Sequence, residues 1–272
     1  MILQDPVRGI GPVGDADATV QVRVLGQTTI TAGGVPVEVN RPLERALFVR
    51  LALENGWAVR DATLAADLWP DAGDAMIGRR LRVQASRLRR SLGPWAKLLV
   101  HAAGGGYRLL GCEVSDVAAA RRLTVEARAA ARTQRRQAAV VAATAALAHW
   151  RGPALEDLVR IPFVDAAVTG IEEWRLELTT LRLTAMLHLA PAEMLVVELV
   201  GLAEQHPLNE RVQMLLAQAL YCAGRQVEAL HRLRLLRQSL VDAAGLDVTP
   251  QTVQLESRIL RHDPTLQPRS VA

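Results

Sequence analysis

The chain has 272 residues, half of them hydrophobic and only 3% aromatic, with a formal net charge of +4. That length builds one large domain or two ordinary ones with real cores, and a composition rich in Ala, Leu, Val and Arg belongs to a mostly helical soluble protein. The opening has no apolar run of signal-peptide length, no segment reaches the ~18–20 uncharged apolar residues that span a bilayer, and Cys112 and Cys222 match no metal spacing, so reduced thiols in a cytoplasm are expected and no membrane is.

The positive charge is concentrated. Residues 20–111 carry thirteen Lys and Arg against seven Asp and Glu, a net of +6, whereas residues 112–272 balance at eighteen each and residues 1–19 carry −2. A localised basic excess points to a polyanionic partner for the N-terminal half.

In chain order, residues 1–19 mix Gly, Pro, Asp and Ala without period and predict a disordered tail. VQVRVLG (20–26) and VPVEV (35–39) alternate apolar and polar residues, with TTIT between them, and Ala32-Gly33-Gly34 suits a tight hairpin turn. A small antiparallel sheet is therefore expected. LERALFVRLALEN (43–55) has helical spacing and stops at Gly56, and WAV (57–59) fits one short strand. Asp61 is placed to cap a second helix, ATLAADLW, which Pro70 ends. A third helix, IGRRLRVQASRLRRSLG (77–93), ends at Gly93-Pro94, and LLVHAAGGGYRLL (98–110) reads as strand, glycine turn, strand. Sheet, helix, helix, basic helix and hairpin in that order make a winged helix-turn-helix, whose third helix enters the major groove of DNA.

That third helix holds six arginines and no acid. At about 100° per residue, Ile77, Leu81, Ala85, Leu88 and Leu92 fall on one side, the predicted core side. Arg79, Val83, Ser86 and Arg90 fall on the other, with Arg82, Arg87 and Arg89 on the flanks. Arginine reads guanine through paired bonds to O6 and N7, Val83 suits a thymine methyl, and flanking arginines neutralise phosphates and set register. The pattern also fits a solvated arginine face on an ordinary helix. A valine set among arginines is the feature that separates the two readings.

Residues 112–264 are predicted to be helical and repetitive. Ala190 and Gly224 stand 34 residues apart, Leu195 and Ala229, Leu199 and Leu233, and Leu202 and Leu236 keep that offset, and Pro207 closes the first unit. A 34-residue period of paired helices is the tetratricopeptide signature. ALYCAGRQVEAL (219–230) carries it best, and RRQAAVVAATAALAHWRGPAL (135–155) suggests an earlier helix pair. Stacked pairs leave a groove suited to a protein partner or a second copy of the chain. Residues 265–272 are expected to be a disordered tail.

No catalytic residue, metal ligand or cofactor is expected. Gly104-Gly105-Gly106 precede a strand, whereas a phosphate cradle needs GK[ST] opening a helix, so they mark a hairpin tip. The six histidines are scattered, HExxH, G-x-S-x-G and a dinucleotide fingerprint are absent, and Glu156-Asp157 and Glu172-Glu173 read as helix-surface pairs.

Several stretches together carry a resemblance: LWPDA (68–72), SRLRRSLG (86–93), GGYRL (105–109), HWRGPALEDL (149–158), IPFV (161–164) and GLDVTPQTVQLESRILRHDP (245–264). From about Val20 to Pro264 the chain resembles the Streptomyces antibiotic regulatory protein (SARP) family of small transcriptional activators. Residues 20–111 are similar to the OmpR/PhoB-type winged helix and residues 112–264 to the bacterial transcriptional activation domain, in the short form without added modules. The resemblance implies that Arg79, Val83, Ser86 and Arg87 face bases or nearby phosphates and that Trp69 and Tyr107 touch the DNA backbone. Ala102-Ala103 stands where the wing commonly carries a basic residue, and Leu43 where the family often has one. It further implies a cytoplasmic, nucleoid-associated activator of antibiotic biosynthesis that binds direct repeats of double-stranded DNA near the −35 region, self-associates there and recruits RNA polymerase, sigma factor included. The competing reading is a helical-repeat adaptor or ligand-gated sensor without specific DNA recognition.

Overall fold

Valines alternating with polar residues make the first strand. In the computed structural model, which describes residues 20–71 and 77–266, β1 (Val20–Arg23) buries Val20 and Val22 and turns Gln21 and Arg23 outward. The tail expected over 1–19, Ala72 of the LWPDA motif and residues 267–272 lie outside the described residues. β1 pairs antiparallel with β2 (Thr29–Ala32), and β2 pairs with β3 (Val35–Pro36), a strand shorter than the alternation of VPVEV suggests. Gly33 and Gly34 join them at φ 57° and 81°, two left-handed steps that match the twist of a hairpin and that side chains would strain.

Three helices follow. α1 (Pro42–Ala52) starts with proline in its first turn and buries Leu47, Phe48 and Leu51. It ends at Ala52, three residues short of Asn55, the last residue of the expected helix. α2 (Asp61–Leu68) corrects one expectation: Arg60 holds the cap position and Asp61 begins the helix, where a carboxylate still suits the positive end of the dipole. Arg50 ties the two helices, donating to Asp67 at 2.6 Å and to Glu54 at 2.5 Å. Burial alone would lower its pKa, but those two carboxylates outweigh it and the net shift is upward. α3 (Ile77–Leu92) packs Leu81, Ala85, Leu88 and Leu92 inward. Each such leucine contributes about 1.5–3 kcal/mol of burial.

β4 (Leu99–His101) and β5 (Tyr107–Leu109) form the predicted hairpin, and Val59 of the WAV stretch bridges Tyr107. One more strand, β6 (Cys112–Val114), lies parallel to β1, so the larger sheet runs β3-β2-β1-β6. The boundary expected after residue 111 thus falls at the first residue of a strand in the N-terminal sheet.

Seven further helices are described: α4 (Ser115–Arg132), α5 (Arg136–Leu147), α6 (Pro162–Met186), α7 (Glu193–Gln205), α8 (Glu210–Cys222), α9 (Gln226–Ala244) and α10 (Pro250–Leu260). The chain divides into two compact units, one reaching Arg122 and taking in Ala146–Arg175, the other made of Leu123–Ala145 and everything from Leu176. The first unit is therefore discontinuous in sequence.

The WRGPAL stretch explains why. Arg151 donates its backbone N–H to the Leu25 carbonyl at 2.8 Å, and the Leu155 N–H reaches the carbonyls of Val24 and Gly26 at 3.1 Å. Gly26 has to be glycine: at φ 134°, its missing Cβ would lie 3.1 Å from that of Arg151. Asp157 accepts the Thr28 N–H at 2.7 Å and pairs with Arg45 at 2.5 Å. Deepest is Asp116, whose Oδ2 accepts both the Val24 and Leu25 N–H groups at 2.8 Å while Oδ1 accepts that of Val117 at 2.9 Å. The Arg151 guanidinium stands 3.4 Å from Oδ2.

In the second unit the 34-residue register is visible as burial. Leu195 and Ala229, and Leu199 and Leu233, are buried pairs at matched places on α7 and α9, and Leu202 and Leu236 continue the series. Gly224 turns α8 into α9 at φ 75°. The side chain of Asn209 caps α8 by accepting the Val212 N–H at 3.2 Å, and Gln213 ties α8 to the end of α7 through the Ala203 carbonyl at 2.8 Å. Glu210 accepts the N–H and hydroxyl of Thr249 at 2.8 Å and the hydroxyl of Thr252 at 2.6 Å, joining the starts of α8 and α10. Leu266, expected to lie in a C-terminal tail from residue 265, is instead buried in this core.

Candidate nucleic-acid interface

Helical periodicity sorts α3 into two faces. Opposite the buried leucines, Arg79, Arg82, Val83, Ser86, Arg87 and Arg90 are all exposed and together line one shallow, open depression. Val83 is 43% exposed, an apolar side chain held in water between guanidinium groups. Arg87 donates from Nη1 to the Gln84 side-chain Oε1 at 3.5 Å. Among the described residues, none of these arginines has a carboxylate within ion-pair distance. Gln84 itself is buried on the core face, a polar position that the apolar stripe did not anticipate.

The other three expected residues stand differently. Arg89 is half-buried and donates Nε and Nη2 to the Leu99 carbonyl at 3.2 and 3.0 Å, with its guanidinium 5.8 Å above the Tyr107 ring. It therefore fastens α3 to β4. Tyr107, expected at the DNA backbone, is only 3% exposed, stacked edge-on with His101 and packed beneath Arg89. Burial raises its hydroxyl pKa. This ring fills the base of the hairpin. Trp69 ends α2 and is half-buried, its N–H bonded to the Ala65 carbonyl at 2.8 Å.

The hairpin tip depends on one glycine. Gly106 sits at φ 96°, and a Cβ there would lie 2.1 Å from the Val59 carbonyl oxygen. Gly106→Ala should destabilise the first unit by about 2–4 kcal/mol, whereas Gly104→Ala, whose Cβ meets open space, should change stability by less than about 0.5 kcal/mol. All five tryptophans (57, 69, 95, 150 and 174) lie in this unit. Urea unfolding followed by tryptophan emission therefore reports on it alone, and equal midpoints for the two variants would refute the packing described.

Among the described residues no group of three or more His, Cys, Asp or Glu side chains is placed to hold a metal ion, and no helix is long and apolar enough to cross a membrane. What the fold and the α3 face define is a winged-helix regulator carrying helical repeats. Residues 115–260 match the bacterial transcriptional activator domain family. The chain is 35% identical to the regulatory protein AfsR of Streptomyces griseus over 251 residues, 92% of this chain and 25% of that one. It is 30% identical to the regulatory protein DnrI of Streptomyces peucetius, covering 90% of this chain and 93% of DnrI. The solved structure of Mycobacterium tuberculosis EmbR in complex with a low-affinity phosphopeptide superposes with a TM-score of 0.78 at 29% identity, over 92% of this chain and 66% of that one. The chain belongs to the SARP family of transcriptional activators. It spans a quarter of AfsR and about two thirds of EmbR.

Proposed function

We propose that this protein is a sequence-specific activator of a secondary-metabolite biosynthetic cluster. It binds direct repeats of double-stranded DNA near the −35 region, as neighbouring copies, and recruits RNA polymerase with its sigma factor, acting at the nucleoid in the cytoplasm. The observation that carries the reading is the continuous face of Arg79, Arg82, Val83, Ser86, Arg87 and Arg90, exposed and, among the described residues, without carboxylate partners. Arg79 and Arg87 read or closely approach bases, Val83 meets a thymine methyl, and Arg82 and Arg90 contact phosphates. Arg89 contributes by holding the hairpin against α3, and Trp69 lies at the backbone. The helical repeats, where grooves form between stacked helix pairs, contact polymerase and the neighbouring copy.

The test is footprinting on DNA flanking the protein's own gene, followed by titration of variants on the protected sequence. Arg79→Ala and Arg87→Ala should each cost about 1–3 kcal/mol of binding and change the preferred bases. Arg108→Ala, on β5 away from that face, should at most weaken binding uniformly across sequences. Equal, sequence-independent losses for all three would sink the assignment of the α3 face.

A further inference from the structure

We propose that the turn joining α4 to α5 is a second polyanion-binding surface, one that holds the phosphate backbone of DNA without reading its sequence. Residues 112–272 are neutral as a whole, yet between Leu123 and Ala145 there are four arginines and a single acid, Glu126. Arg128 is paired with Glu177 at 2.6 Å. Arg132, Arg135 and Arg136 crowd into five residues, are all exposed, and have no carboxylate within ion-pair distance among the described residues.

The turn is stiff. Gln134 takes a left-handed φ of 58°, and the Arg135 N–H bonds to the Ala130 carbonyl at 2.9 Å. The Thr133 hydroxyl donates back to the helix, 3.0 Å from the Ala129 carbonyl. The same oxygen accepts Nε of Arg135 at 3.1 Å, so a neutral partner sets the bearing of this exposed guanidinium. Among the described residues of the unit, nothing accounts for the cluster. Arg135 and Arg136 stand at the start of α5, whose first turn contains no acid, and cations there oppose the helix dipole. The titratable group that Arg136 faces from just past α6 is His188, half-buried, its pKa lowered by burial first and by Arg136 second, so it supplies no counter-charge.

The composition of the turn favours phosphate over an acidic protein. From Ala127 to Ala139 the only apolar side chains are alanines, whereas protein interfaces are centred on aromatic and large aliphatic anchors. Guanidinium groups alone suffice for a phosphate backbone. The inference rests on the reading that the chain binds DNA, and the test separates the two.

Full-length protein and the variant R132Q/R135Q/R136Q are titrated by fluorescence anisotropy onto two labelled duplexes, one carrying the footprinted sequence and one scrambled, over a range of NaCl. Each neutralised phosphate contributes roughly 0.9 to the slope of log K against log salt. The variant should therefore show a slope shallower by about 2–3 on both duplexes. Low-salt affinity should fall by the same factor for both, leaving the preference between them intact, with an unchanged circular-dichroism melt showing that the variant is folded. An unsubstituted slope in the variant overturns this inference alone. So does unchanged DNA binding with lost transcription in vitro, which points to an acidic protein partner. A full chain with no affinity for either duplex overturns the reading of α3 as well.

Discussion

Asp116→Ala should destabilise the first unit by about 3–5 kcal/mol, more than any substitution on the α3 face. Its side chain is 1% exposed and serves as acceptor for the N–H groups of Val24 and Leu25 at 2.8 Å, from ninety-odd residues away in sequence. Alanine leaves both donors buried without partners, at about 1–3 kcal/mol each, and strips Arg151 of its counter-charge. Asp116→Asn keeps an oxygen for the two N–H groups but presents N–H to Val117 in place of an acceptor. It should cost less, about 1–2 kcal/mol. Tryptophan-detected urea unfolding measures both. DNA affinity of the folded fraction should stay close to the unsubstituted value, because Asp116 is not on the α3 face; a variant as stable as the parent would refute the hub assigned to it.

The second large effect is truncation. A fragment of residues 20–111 contains every element of the winged helix and would be the natural piece to clone from the sequence alone. It should be mostly unfolded at 25 °C and show no specific DNA binding. The cut removes β6 from the edge of β1, the acceptor Asp116, the N–H donors of Arg151 and Leu155, and the Asp157 partner of Thr28 and Arg45. Against a total stability of about 5–15 kcal/mol for an average domain, losses on that scale are decisive. A fragment of residues 20–175, which restores all of them, should unfold cooperatively and bind. If residues 20–111 alone give a sharp thermal transition and promoter preference, the tie between WRGPAL and the sheet is dispensable.

These two results mark where local sequence stops being informative. The two faces of α3 are legible because a 3.6-residue period needs no partner: Leu81, Ala85, Leu88 and Leu92 declare a core side wherever the helix lies, and the arginines fall opposite. The hairpin is legible through its glycines, and the repeats through a register that recurs after 34 residues. β6 is not. Its three residues become a strand only by pairing with Val20–Val22, some ninety positions earlier. Tyr107 looks like an exposed polar aromatic until Arg89 and His101 close over it. Asp116, following Ser115 at a helix start, reads as an ordinary first-turn acid, and nothing nearby hints that its acceptors face Val24 and Leu25. The WRGPAL motif was recognisable as a family mark, but its physical work, bonding to the turn at Leu25 and Gly26, lies in contacts that no window of sequence contains.

The discontinuity of the first unit bears on how the protein is born. Translation delivers α3 early, and with it an arginine-rich surface in a cell full of nucleic acid. The body that carries the helix cannot close until Arg175 has left the exit tunnel of the ribosome, with more than half the chain already made. Synthesis at about 5–20 residues per second makes that an interval of several seconds, during which the carbonyls of Val24, Leu25 and Gly26 lack the N–H donors of Arg151 and Leu155, and Thr28 and Arg45 lack Asp157. A ribosome-tethered chain stalled before residue 146 should therefore be cleaved rapidly by protease within residues 20–111, and one stalled far enough downstream to expose Arg175 should be protected.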